Sequence, residues 1–195
     1  MIEIIGELNF KNLVFLDLSY NSFTQFKLFK ALEHFKILEL IKLNSNKFTE
    51  NIDDLMKDKT LQYNLQSLNE MRLSNGVFSE KSIKIISKFI FKNLEILDLT
   101  SSRLTSLSFI DDLKYVAKGS NNKYKPIKKM SEYPLKELIL NNNEISDISK
   151  LLNLEKLEII ELKDNSLIIN QSLNNLVIKM KSLKTINLVR NRVEP

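Results

Sequence analysis

A single histidine, His34, and no cysteine leave this chain almost without nucleophilic or metal-binding chemistry. A catalytic nucleophile needs a base beside it, and a zinc site needs several Cys or His ligands. Neither set exists here, and His34 reads as an ordinary helix side chain. The glycines Gly6, Gly76 and Gly119 are isolated, so no glycine-rich loop can wrap a phosphate. The acid pairs Asp53-Asp54 and Asp111-Asp112 read as helix-start or loop carboxylates. No enzymatic activity, no cofactor and no small-molecule substrate are therefore expected. The one dense cluster of chemical groups is basic. Lys114, Lys118, Lys123, Lys125, Lys128 and Lys129 occur with no acid between Asp112 and Glu132, and Tyr115, Tyr124 and Tyr133 are interleaved with them. Lysine and tyrosine together can meet phosphates and stack on bases, as in RNA binding, or dock on an acidic protein surface. The plain alternative is a solvated loop.

The rest of the chain must position that cluster, and it is strongly periodic. Residues 135–167 hold two copies of one pattern: Leu135, Leu138, Leu140, Asn143, Ile145, and then Leu157, Ile160, Leu162, Asn165, Leu167. A Leu-x-Leu step is a short strand with one buried face. The Asn three residues later can donate to and accept from backbone groups that a tight turn leaves unpaired. Such a unit cannot bury its apolar edge alone, so copies must stack. The same signature starts at Leu13, Leu38, Leu68, Leu94, Leu135, Leu157 and Leu183, with spacings of 25, 30, 26, 41, 22 and 26 residues. Gly76 and Ser102 stand where the third and fourth copies should have Asn.

This pattern resembles the leucine-rich repeat family. The resemblance implies an α/β fold: one right-handed solenoid over residues 1–195, with about seven repeats, a parallel concave sheet, and helices or turns on the convex side. Residues 1–12 would form the N-terminal edge. The long spacing places a Lys-rich insertion at residues 113–134, between the fourth and fifth repeats. Convex helices are expected where apolar residues recur at helical spacing: Phe26, Phe29, Leu32 and Phe35; Ile52, Leu55 and Met56; and Ile83, Ile86 and Ile90 after an N-cap at Ser79. Residues 168–195 resemble, in shape and spacing, the C-terminal cap of the SDS22-like branch, which holds ribonucleoprotein, mRNA-export and dynein components. Here Leu176, Val177, Ile178 and Met180 would form the cap's apolar patch.

The solvent side of the strands is the second candidate site. Alternation in a strand sends Phe15, Leu40, Glu70, Ile96, Glu137, Ile159 and Thr185 outward, with Asp17, Lys42, Arg72, Asp98, Ile139, Glu161 and Asn187 beside them. Exposed apolar groups in a row mark a contact site. A protein-binding surface is therefore expected from Phe15, Asp17, Tyr20, Leu40, Lys42, Arg72, Ile96, Asp98, Ile139, Ile159 and Glu161. Its mixed charge would not attract a phosphate backbone.

Composition sets the outer bounds. At 195 residues and 43% hydrophobic content, the chain can build one continuous core. A net charge of +5 permits an acidic partner without demanding one. Extracellular leucine-rich repeat proteins usually close their ends with cysteine-rich caps, so the lack of cysteine, with no evident signal peptide or membrane span, points to an intracellular place, cytoplasmic or nuclear. The functional expectation is an intracellular protein-interaction module within a larger complex. The alternatives are a ribonucleoprotein- or ribosome-associated factor touching RNA through the insertion, or a regulatory subunit of a GTPase, phosphatase or motor.

Overall fold

A computed structural model describes residues 10–48, 52–76, 78, 81–118 and 123–194. Residues 1–9 of the N-terminal edge expected at 1–12, and the expected Ser79 cap, lie outside the described residues.

Seven three-residue strands form one parallel sheet in chain order. They are β1 (Phe15–Asp17), β2 (Leu40–Lys42), β3 (Glu70–Arg72), β4 (Ile96–Asp98), β5 (Glu137–Ile139), β6 (Ile159–Glu161) and β7 (Thr185–Asn187). Every pair is in register, so the central residues Leu16, Ile41, Met71, Leu97, Leu138, Ile160 and Ile186 stack as one column. The leucine just after each strand forms a second interior column. Leu43, Leu73, Leu99, Leu140 and Leu162 are wholly buried, while Leu18 and Leu188 at the two ends are half-buried. End units lack a neighbour on one side, which is why burial fades there. Strands sit about 4.8 Å apart, and packed helices need about 8–10 Å, so a stack of such units curves with its sheet on the inner, concave side.

Left-handed backbone makes each turn. Tyr20, Ser45, Asn75, Ser101, Asn142, Asp164 and Arg190 all have φ between 53° and 63°. Each of them directly precedes the Asn position of its repeat. At the third repeat Asn75 holds this angle, and Gly76 (φ 78°), which stands at the Asn position, adds a second left-handed residue.

The asparagines then sew neighbouring turns together. Asn46 Nδ2 donates to the Leu18 and Leu43 carbonyls at 3.0 and 2.8 Å, and its Oδ1 accepts the Phe23 N–H. Asn143, Asn165 and Asn191 repeat the arrangement, each spanning to the preceding unit. Asn191 is a member that the sequence reading missed, although its place three residues after Leu188 fits the pattern. At Gly76 and Ser102 no such side chain exists, and the buried Ser102 hydroxyl has no partner.

The convex side is less helical than expected. Among the described residues the α-helices are α1 (Leu28–Leu32), α2 (Ile52–Lys57) and α3 (Gln171–Val177). Phe26, Phe29, Leu32 and Phe35 are all buried around α1, as their spacing implies. The Ser82–Lys88 segment winds as a 3-10 helix instead of the α-helix expected there. It buries Ile83, Ile85 and Ile86 together, which one stripe of an α-helix cannot do. Ile90 leaves the helix altogether: Phe89–Ile90 pairs with Tyr63–Asn64 as a small parallel ladder. Inside the convex wall, rings touch in series, Phe48 on Phe26, Phe29 on Phe89, Phe89 on Phe91, Phe91 on Tyr115, and Tyr115 on Tyr133 at 4.5 Å. In the last unit Asn170 caps α3 by accepting the Leu173 N–H, and Met180 is buried. Leu176 and Val177 are half-buried, and Ile178, Val189 and Val193 are exposed. No helix among the described residues is long and apolar enough to cross a membrane.

Candidate functional site

Register decides what the concave face presents. One outward column runs Phe15, Leu40, Glu70, Ile96, Glu137, Ile159, Thr185; the other runs Asp17, Lys42, Arg72, Asp98, Ile139, Glu161, Asn187. The expected set is thus gathered on one surface, but its members differ in availability. Phe15 is half-exposed, and Leu40, Ile96, Ile139 and Ile159 are partly exposed. Tyr20 projects furthest, at 81% exposure, from the left-handed turn after β1.

Several charged members serve the fold. Asp98 is buried, and its carboxylate accepts the Thr100 N–H at 2.9 Å, so it shapes the turn after β4 and offers little to a partner. Asp17 makes the same turn with the Ser19 N–H, also at 2.9 Å, and hydrogen bonding from Ser19 holds its carboxyl below the usual range. Arg72 pairs with Glu70, and Lys42 lies over the Phe15 ring at 5.3 Å. Glu161 accepts from Asn187 Nδ2 at 2.7 Å. The Glu137 carboxylate, by contrast, has no hydrogen-bond or ion-pair partner among the described residues, although it sits between Ile96 and Ile159 in register. The face therefore splits into an aromatic-aliphatic end, at Phe15 and Leu40, and an isoleucine end around Glu137. The Glu70–Arg72 pair lies between them.

One rim carries a ladder of ion pairs: Glu95 with Lys136 at 2.8 Å and Glu158 with Lys184 at 2.7 Å. These link consecutive units across the surface. Being exposed and screened by water, they contribute little to stability.

The described part of the Lys-rich segment contains a two-stranded antiparallel ribbon. Val116–Lys118 pairs antiparallel with Tyr124–Pro126. Its base is tied to the convex wall by the Phe91–Tyr115 bridge and by Ile127 N–H donating to the Tyr115 carbonyl at 2.8 Å. Lys114, Lys118, Lys123, Lys125, Lys128 and Lys129 are all exposed, as a phosphate- or acid-binding surface would need. Two of the three interleaved tyrosines are not available for stacking. Tyr115 and Tyr133 are core residues whose hydroxyls donate to the Leu94 and Leu113 carbonyls, and burial raises both phenols above their ordinary range. Apolar neighbours in sequence, Leu113 and Val116, were the signal that this end of the insertion turns inward. Only Tyr124 is outward, with Lys92 5.5 Å above its ring. It walls a groove of about 400 Å³ with Lys36, Ile37, Asn64 and Asn93.

No family model and no curated protein matches this chain. Solved structures do. An internalin (inlF) from Listeria monocytogenes superposes on 100% of this chain with a TM-score of 0.60 at 18% identity. Internalin C2 from the same organism covers 93% of the chain with a TM-score of 0.53 at 21% identity. The chain spans 46% of the first internalin's length and 74% of the second's. At such identity the likeness is one of fold. Joined to the in-register sheet, the left-handed turns and the asparagine ladder, it makes this chain a leucine-rich-repeat solenoid.

Proposed function

We propose that the chain is a non-enzymatic protein-interaction module that holds a partner on the concave face of its sheet. The carrying observation is the set Phe15, Leu40, Ile96, Ile139 and Ile159, apolar side chains left on the solvent side of a formed sheet. A rigid face binds without ordering itself first, so little conformational entropy opposes association. An intracellular setting belongs to this reading and rests on the absence of cysteine. The same face would serve a regulatory subunit of a GTPase, phosphatase or motor equally well. Affinity capture from the native cell tests the proposal. Ile96→Asp and Ile159→Asp should each abolish capture while circular dichroism stays unchanged; capture that survives both substitutions discards it.

A second reading is favoured by the hairpin. Six exposed lysines, Lys118 and Lys125 on the β-ribbon and the other four beside it, with Tyr124 outward, fit an RNA or ribonucleoprotein contact. Retention of cell RNA should then fall steeply with salt and vanish when Lys123, Lys125, Lys128 and Lys129 become Ala. Retention that is flat with salt removes this reading and leaves the concave face untouched.

A further inference from the structure

Among the outward-facing acids of the strands, Glu137 is the one left without a partner. Asp17 and Asp98 close turns, Glu70 holds Arg72, and Glu161 holds Asn187. Glu137 is half-buried, flanked across the sheet by Ile96 and Ile159, with Ile139 two residues along on the same face. A carboxylate set among apolar neighbours and given no donor keeps its acceptor sites open to a partner. A cation that covers it would supply charge-assisted hydrogen bonds at a spot where apolar contact is available on every side.

Resting on the concave-face reading, we propose that this patch docks a helix of a partner protein that presents one lysine or arginine between two apolar side chains. Ile96 and Ile159 lie two strand spacings apart, about 10 Å. On a helix, apolar residues one turn before and one turn after a central lysine are also about 10–11 Å apart, at 1.5 Å per residue. A helix crossing the strands along this column sets its cation over Glu137 and its two apolar residues over Ile96 and Ile159, with Ile139 beneath its flank. An acidic helix is repelled, because its carboxylate would meet that of Glu137, with Glu161 on the neighbouring strand.

The test uses two fluorescein-labelled, alanine-based helical peptides. One carries Leu, Lys and Leu at i−3, i and i+4; the other replaces the Lys with Glu. Fluorescence anisotropy with the whole chain should show binding of the Lys peptide and much weaker binding of the Glu peptide. Glu137→Gln should weaken the Lys peptide about tenfold or more, and Glu137→Lys should reverse the preference. Equal binding of both peptides, binding of neither, or binding unchanged in Glu137→Gln overturns the proposal. Binding that Ile159→Asp abolishes but Glu137→Gln spares keeps the concave face as a binding face and discards this partner chemistry alone.

Discussion

Asn143 accepts the Ser102 N–H through Oδ1 at 3.0 Å, while Ser102 itself passes no bond on to the unit before it. The asparagine ladder thus runs unbroken from Asn143 through Asn165 to Asn191 and is interrupted at Ser102 and Gly76 before resuming at Asn46. Ser102 borders a cleft of about 570 Å³ shared with Gly76 and Phe78, so there is room for a longer side chain.

Completing and breaking the ladder should have opposite effects. Ser102→Asn should raise stability by about 1 kcal/mol, the usual net value of a satisfied buried hydrogen bond. Asn143→Leu should lower it by roughly 2–4 kcal/mol, because buried N–H and carbonyl groups lose their partner. Urea unfolding with an unchanged m-value measures both.

Facing direction sets a sharp contrast between adjacent residues. Leu140→Asp places a charge in the wholly buried column and should leave the chain unfolded. Ile139→Asp, one residue earlier and outward, should cost about 1 kcal/mol or less. Far-ultraviolet circular dichroism of the two variants decides the point, and equal damage from both would mean that the column assignment is wrong.

Acid should destabilise the fold through its turn and rim carboxylates. Hydrogen bonding from Ser149 lowers Asp147, Lys184 lowers Glu158, and Arg190 lowers Asp164. A lowered folded pKa means the unfolded chain binds more protons, so this stabilisation is present above the ordinary values of 3.8 and 4.5 and is lost as pH falls below them. Thermal melting should be flat from neutral pH to about 5 and drop below about 4.

Alkali should act through Tyr115. Burial raises its phenol, so its contribution is complete below the ordinary value of 10.0 and is lost as pH rises beyond it, when only the unfolded chain ionises. Tyr115→Phe should be less stable at pH 7 by about 1–2 kcal/mol, since the Leu94 carbonyl loses its donor. The same variant should show a shallower fall above pH 10.0.

Removal of the hairpin should leave the solenoid standing. Replacing residues 117–125 with a tight turn keeps Tyr115, Ile127 and Tyr133, which carry the ties to the convex wall. The expected loss is about 1 kcal/mol or less, because the described residues among them, 117, 118 and 123–125, are exposed. A collapse of the melting transition would mean that the hairpin is part of the core.

The leucine spacing was enough to place the strands and their outward columns, because a period of two in a three-residue strand leaves no freedom about which side chain faces in; the parallel pairing was implied only by the family resemblance. It was equally informative about α1, where four aromatic and aliphatic residues at helical spacing are all buried. It failed at residues 82–90, since Ile85 breaks the helical stripe and the ladder with Tyr63–Asn64 depends on a unit far away in the chain. It also overcounted the tyrosines of the insertion. A local pattern of Lys and Tyr does not reveal that Tyr115 and Tyr133 extend an aromatic series begun by Phe48 and Phe26.

Read by itself, the amino-acid order determined that units repeat, where each strand lies and which residues leave the core, because hydrophobic burial and strand alternation act over a few neighbouring positions. Only the tertiary structure decided which outward acids already have partners. Whether Asp98 closes a turn, whether Glu161 meets Asn187 and whether Glu137 meets nothing are settled by distances between units, and spacing along the chain carries no record of them.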